Sequence, residues 1–568
     1  MCRQWTREHR GGVPGRSVVR GLAASLALLV AVLSAPAPAL AAPQLVKISG
    51  AGSTWSSNAI DNWRRNIQQR KIYVSYAATG SSDGRTQFTN GTVDFGVSEI
   101  PYGFQDRFAG PDPRPPRSFA YMPIVAGGTA FMYNLKIGGR QVTNLRLSGE
   151  VLTKIFTGVV KRWDDPAIKA DNPGLVMPGR RIVPVVRQDG SGTSAQLTLW
   201  MSKQHPGLWD AYCAKFGKAA PCGVTSNYPY RSQDGFVGQS GSTGVAGYVG
   251  QSNAEGAITY VEYSYAINQR FPVVKVLNAG GYYVEPTAKN VAVALTRAQI
   301  NQDRNSPDYL TQVLDEVYRF TDSRTYPLSS YSYMIIPTAA ELNITEDKGY
   351  TLARFANYFL CEGQQQADVL GYSPLPKNLV EAGMAQVQKI PGAPKADIVI
   401  ANCNNPTFSR DGTNTLAKTA PKPSECDRKG SRQSSAGTGG ATQATPVAAA
   451  ARCAGEPAAG GPTGSNTAGG TGNGGTAAAP SAGAVVDPDT GQVIGPDGSA
   501  AGGDDGAGGG GGEAVAAVPV SLAGTGGWQL RHTIMVIAAV LLLALVLGPP
   551  LLAQSLRRRR GGNGWEAS

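Results

Sequence analysis

Histidine is almost missing from this chain: His9, His205 and His532 are the three among 568 residues. Two of them lie close to the ends, so a histidine-based proton relay or activated nucleophile has little to draw on. No Cys-x-x-Cys pair and no clustered histidines occur. Zinc, the competing use of the cysteines, therefore lacks support, and neither a metal nor a cofactor is expected. No Gly-x-Ser-x-Gly elbow surrounds Ser191, which argues against a serine hydrolase there. No internal repeat is visible, so solenoids and propellers are set aside. Basic surface is scarcer than the formal charge of +12 suggests. Residues 1–43 and 531–568 each carry a net +4, which leaves +4 for everything between them. The basicity marks targeting segments, and nucleic acid is not an expected partner.

What the ends do contain is specific. A basic stretch through Arg20, an apolar run from Gly21 to Leu33 and the small-residue site Ala39-Leu40-Ala41 read as a secretory signal peptide over residues 1–42. Thr533 to Ala553 is apolar and long enough to span a bilayer, with Arg557–Arg560 just beyond it. That order predicts a membrane segment with a basic cytoplasmic tail over 528–568 and an exported body. Six cysteines remain after cleavage, an even number suited to disulfides in an exported chain. Proximity pairs Cys213 with Cys222 and Cys361 with Cys403, leaving Cys426 with Cys453.

Residues 43–404 have a globular composition, rich in aromatic and β-branched side chains. Residues 405–527 are dominated by Gly, Ala, Thr, Ser and Pro, a composition expected to form a flexible tether. A coil of about 115 residues has a root-mean-square span of about 60 Å. Stretched out, it reaches about 380 Å, enough to lift a domain through a wall layer.

The globular part alternates strands and helices, the α/β pattern whose ligands bind at loops following strands. Leu45–Ser49, Lys71–Ala77, Val93–Val97 and Arg181–Val186 read as strands; Ser56–Gln68, a segment running toward Asn90, and Ala195–Met201 read as helices. Three turns share one grammar of strand, Gly/Ser/Thr, helix start: Gly50–Thr54, Gly80–Ser82 and Gly190–Thr193. Such turns leave backbone N–H groups unpaired at the positive end of a helix, which suits an anion. Arg187-Gln188-Asp189-Gly190-Ser191-Gly192-Thr193-Ser194 adds three hydroxyls and a planar guanidinium matched to oxyanions. Asp189 would repel an anion unless it is turned toward Arg187. The same octapeptide also fits an ordinary N-capped helix with a surface arginine.

Seven segments, in order, resemble the high-affinity phosphate-binding proteins of bacterial phosphate ABC transporters. They are Ser49–Trp55, Gly80–Gly84, Val93–Glu99, Ile155–Gly158 leading to Arg162–Asp165, Arg187–Ser194, Gly256–Tyr263 and Tyr326–Ser330. The resemblance spans most of Gln44 to Pro391. It implies a two-lobed α/β, periplasmic-binding-protein-like fold that closes on inorganic phosphate by hinge motion. It also implies donors from Thr54, Trp55 and Ser81 in one lobe and from Arg187, Ser191, Gly192 and Thr193 in the other. Asp189 would hold Arg187, and a phosphate ABC permease would be the partner.

Three features depart from that family's pattern. Glu99 stands where the family has Asp, whose carboxylate accepts the phosphate's own proton and repels sulfate. Glu99 is expected to keep this task, with the backbone withdrawn to make room for one more methylene. Trp55 replaces the usual Phe, and 102–117 is a longer, Pro- and Arg-rich loop with no assigned role. Ahead of the apolar span, Leu522-Ala523-Gly524-Thr525-Gly526 resembles a sortase sorting signal cut after Thr525; read otherwise, it is part of the tether of a plain membrane anchor. The expected function is extracellular phosphate capture for a permease or for scavenging at the cell surface. A displayed oxyanion sensor or adhesion protein is the alternative, a phosphomonoesterase a further one, and the chain is not expected to be an enzyme.

Overall fold

Why the first helix forms is plain from its spacing: Ala59, Ile60, Trp63 and Ile67 fall on one face, and Arg64 and Arg65 complement its C-terminal dipole. This helix, α1 (Ser57–Ile67), follows strand β1 (Ile48–Gly52) and precedes β2 (Val74–Ala77). Next come α2 (Ser81–Thr89), β3 (Phe95–Ser98) and the long strand β4 (Phe119–Tyr133). The order continues with β5 (Val183–Arg187), α3 (Gly192–Gln204), β6 (Val237–Gln239) and α4 (Gly241–Val249). Strand β7 (Ala257–Glu262), strand β8 (Ser329–Pro337) and helix α5 (Glu346–Leu360) complete the frame. The computed structural model describes residues 42–454 except 111, 113, 307, 395–402 and 410, together with Val485–Val486 and Val493–Ile494.

The chain divides into two units, Met1–Gly464 and Ser465–Ser568. In the first, eight strands form one sheet in the order β2-β1-β3-β8-β4-β7-β5-β6. Strands β1, β2 and β3 are parallel, as are β5, β6 and β7, and each set makes one lobe. Strands β4 and β8 run antiparallel between them and belong to both lobes. Their register shifts between Ser332 and Tyr333, opposite Val125 and Pro123. A bulge accommodates the missing N–H of Pro123 in a central strand. The two-lobed α/β organisation agrees with the expectation. In the second unit, Val485–Val486 pairs antiparallel with Val493–Ile494.

Most expected elements appear, shifted by one to three residues. The informative shift is at the Gly/Ser/Thr turns, which are themselves the first helical residues: α2 opens at Ser81 and α3 at Gly192. Gly84 lets α2 lie directly on β1, since a Cβ there would sit 2.3 Å from the Gly52 Cα. All three anticipated disulfides form, with Cα separations of 6.1, 4.9 and 5.9 Å for 213–222, 361–403 and 426–453, within the usual range.

Residues 403–454, most of them placed in the tether by composition, are part of the first unit, with 410 undescribed. Arg146 donates to the carbonyls of Cys426 and Gly430, and Lys275 pairs with Asp427 at 2.9 Å. Buried Gln433, Thr438 and Thr445 bond to Asn144, Val273 and Thr143. This strap is held by hydrogen bonds, an ion pair and apolar contacts together, Leu416, Ala417 and Ala420 packing with Ala288, Ala292 and Val293. Residues 1–41, the sorting pentapeptide 522–526 and the apolar span 533–553 lie outside the described residues. Among the described residues, no helix is long and apolar enough to cross a membrane.

The strap gives a direct expectation. Asp427→Ala leaves the Lys275 ammonium, with an 11% exposed side chain, unpaired and is expected to cost about 3–5 kcal/mol in denaturant unfolding. A free tether at this position would show no such loss.

Candidate functional site

Strand β5 ends in Arg187, whose guanidinium is 2% exposed. Asp189, two residues on, takes Nε at 2.7 Å and also pairs with Nη2, a two-point grip that fixes the plane of the fork. Asp189 Oδ1 also accepts the Gly241 N–H at 2.9 Å, from the start of α4. Burial works to raise the Asp189 carboxyl, but its Arg187 hydrogen bonds, the Arg187 charge and the Gly241 N–H outweigh it and hold the group below the ordinary carboxylate range. The remaining guanidinium nitrogen, Nη1, meets Ser242 Oγ at 3.4 Å.

The helix that follows is capped locally. Ser191 Oγ accepts the Ser194 N–H at 3.2 Å, satisfying one of the first-turn donors. Tyr260 OH, on β7, accepts the Arg187 N–H at 3.1 Å and shares a 2.7 Å hydrogen bond with Ser194 Oγ. Burial, more than any other cause, pushes this phenol up to about 12, so it stays neutral and ties strand end to helix start.

The opposite lobe meets this turn directly. Thr54 Oγ1 lies 2.8 Å from Ser242 Oγ and accepts the Ser242 N–H at 3.1 Å. Ser82 N–H donates to the Gly190 carbonyl, and Gly192 N–H donates to Ser81 Oγ at 3.1 Å. Glu99, 1% exposed, lies beneath them. Its Oε1 accepts Ser53 Oγ at 2.5 Å and Ser332 Oγ at 2.7 Å; its Oε2 accepts Ser81 Oγ at 2.8 Å. A Cβ on Gly192 would fall 2.1 Å from that Oε2, so only glycine admits the carboxylate here.

The structure puts Thr54, Trp55, Ser81 and Glu99 in the lobe of β1–β3 and Arg187, Ser191, Gly192 and Thr193 in that of β5–β7, with Ser81 and Glu99 against Gly192 and Thr54 against Ser242. Two of the expected donors are engaged within the protein. The Trp55 N–H goes to Ser53 Oγ at 3.0 Å within its own turn, and the Gly192 N–H crosses to Ser81 Oγ of the other lobe. Thr193 Oγ1, by contrast, is buried without a hydrogen-bond partner among the described residues. Leaving such a group unpaired costs about 1–3 kcal/mol.

Ser53, Ser332 and Ser242 were not expected at the site. Ser332 comes from the crossover strand β8 and carries no local signal. Ser240-Gly241-Ser242-Thr243-Gly244 does carry one, being a fourth turn with the grammar of the other three. The serine-hydrolase spacing Gly-x-Ser-x-Gly also occurs once, at Gly80-Ser81-Ser82-Asp83-Gly84. Its Ser82 Oγ faces Ser226 Oγ at 3.4 Å, whereas His205, the one described histidine, packs edge-on against Trp200 at 5.2 Å. No nucleophile–base pair results.

A family model described as a PBP superfamily domain matches residues 37–362. The phosphate-binding protein PstS of Xylella fastidiosa is 30% identical over 339 residues, covering 59% of this chain and 83% of that relative. The chain belongs to this family. PstS of Methanocaldococcus jannaschii is 27% identical over 360 residues, covering 61% of this chain and 87% of its own. An ancestral soluble variant of the human phosphate binding protein has 17% sequence identity and a TM-score of 0.45, covering 62% of this chain and all of its own. Every residue expected at the site lies within the stretch matched by the family model, and the strap 403–454 lies beyond it.

Two expectations follow from the geometry. Gly192→Ala pushes a methyl into Glu99 and Ser81 and is expected to weaken anion binding by tenfold or more, with the melting temperature of the ligand-free protein little changed; calorimetric titration beside thermal unfolding checks this. Because the Asp189 carboxyl is depressed on folding, its contribution to stability is present above about pH 4 and is lost as pH falls further. Asp189→Asn is expected to flatten that acid limb in melting temperature against pH.

Proposed function

We propose that this protein captures inorganic phosphate outside the cell and delivers it to a phosphate ABC permease. The observation that carries this reading is the buried Arg187–Asp189 pair, which touches Ser242 in its own lobe while Ser242 meets Thr54 across the cleft, with Thr193 Oγ1 unpartnered on the adjoining helix start among the described residues. A cation fixed in that way, flanked by hydroxyls and the N-termini of α3 and α4, suits a small tetrahedral oxyanion. Its PstS relatives are phosphate-binding proteins, which supports the choice of phosphate. In this reading Thr54, Trp55 and Ser81 donate from one lobe. Arg187, Ser191, Gly192 and Thr193 donate from the other, and phosphate replaces hydrogen bonds such as Gly192 N–H to Ser81. Residues 1–42 serve as the export signal, and the C-terminal apolar span or the sorting pentapeptide keeps the protein at the surface.

Glu99 selects the ligand. Ser53 and Ser332 hold its Oε1 and so fix the orientation of the carboxylate. Oε2 faces Ser81 and Gly192 and accepts a hydrogen from a protonated phosphate. Sulfate has no hydrogen to give at neutral pH and meets only repulsion. Titration calorimetry near pH 7 is expected to give phosphate at least about a hundredfold advantage over sulfate. Glu99→Gln is expected to narrow that ratio by admitting sulfate. Comparable affinities in the parent protein would refute the assignment.

A further inference from the structure

The loop 102–117, unexplained by the site itself, crosses from one lobe to the other. Its base is fixed in the first lobe. Arg85, buried on α2, pairs with Asp112 at 3.0 Å, the Gly103 N–H donates to the Asp112 carbonyl, and Tyr102 OH donates to the Arg85 carbonyl. Its tip is fixed on the second. Asp106, 6% exposed, accepts five hydrogen bonds. Two come from the loop's own Phe108 and Ala109 N–H groups. Three come from across the cleft: Thr225 Oγ1 at 2.7 Å, Ser226 N–H at 2.6 Å and Ser226 Oγ at 2.8 Å. Beside it, Arg107 donates to the Ala219 carbonyl at 2.7 Å, and Phe108 meets Phe216 edge-on. The Cys213–Cys222 disulfide braces the segment that receives them.

The same receiving segment touches the anion turn. The Ser226 carbonyl accepts the Ser191 N–H at 3.0 Å, and Ser191 is the cap of α3. We infer that Asp106 is the positioning residue of an inter-lobe latch: it seats the Arg187–Ser194 turn through Ser226 and slows ligand release. The physical reason is that a buried carboxylate needs its donors, and the three supplied by the second lobe are available only while the lobes are shut. Opening the cleft strips Asp106 of them. The latch thus weights the closed arrangement, and apparent affinity follows the closed population. Association starts from the open protein, whose population the latch lowers, so the latch does not speed association. Lys218 over the Phe108 ring, 5.3 Å from its centroid, adds a contact on the outer side.

The inference builds on the phosphate reading, and its test has one arm that needs no ligand. In the full-length chain, Asp106→Ala is expected to speed phosphate release about tenfold in stopped-flow measurements, with the association rate unchanged or raised. Ser226→Ala, which removes one of the five bonds and keeps the backbone, is expected to give a smaller acceleration in the same direction. Asp106→Asn, which turns an N–H₂ toward one set of donors, falls between parent and alanine variant. Unaltered release in all three variants would overturn the latch. The second arm places spin labels at the exposed Tyr73 and Val176, one in each lobe. Asp106→Ala is expected to lengthen and broaden the inter-label distance without ligand. An unchanged distribution overturns the latch even if phosphate proves not to be the ligand, and failure of the parent to bind phosphate overturns only the functional reading.

Discussion

A positive charge sealed from water has to be answered by a negative one, and Arg187 is sealed. Asp189 answers it from the same turn, and that single pair sets most of what surrounds it. The short spacing forces the strand to end and the chain to bend at once, so α3 starts with its N–H groups beside the guanidinium. The pair also reaches outward, because Asp189 takes an N–H from the start of α4 and Arg187 touches Ser242. Two helix starts are thereby aimed at one point. Removing the acid would leave an uncompensated buried charge, a larger penalty than the loss of an exposed ion pair.

Polar contact between the lobes has a dynamic consequence. Thr54, Ser81 and Ser82 meet Ser242, Gly192 and Gly190 through hydrogen bonds that water or an anion can replace. A cleft closed in this manner opens at moderate cost, whereas an apolar seam would resist. The crossover strands β4 and β8 join the two lobes, and the bulge at Ser332 lies where Ser332 Oγ donates to Glu99. In the proposed reading, ligand recognition and the geometry of the crossover share one carboxylate. The loop carrying Asp106 and the strap ending near Cys453 are local additions around this common machinery.

The site was legible wherever its residues lie in short runs with their own punctuation. Arg187 to Thr193 could be read because strand, glycine turn and hydroxyl donors follow one another, and Thr54 and Ser81 because they repeat the pattern. Ser53 was hidden in plain view: its neighbour Thr54 matched the motif, and nothing in the sequence says that Ser53 turns back to Glu99. The strap was misread for a different reason. Composition averages apolar content over the segment, whereas docking rests on a few buried threonines, a glutamine, Asp427 and the small apolar patch of Leu416, Ala417 and Ala420.

By itself the sequence determined the alternation of strands and helices, the Gly/Ser/Thr turns and the charge carried by Arg187 and Asp189. Each is a local property, governed by backbone sterics, hydrogen-bonding capacity and spacing along a few residues. Only the tertiary structure decided which way Glu99 points and which serines hold it. It also decided that Asp106 spans the cleft and that residues 403–454 belong to the body. Those outcomes depend on groups more than a hundred residues apart, such as Ser332 with Glu99 or Asp106 with Ser226. Their meeting is set by sheet order and lobe closure, which no local pattern encodes.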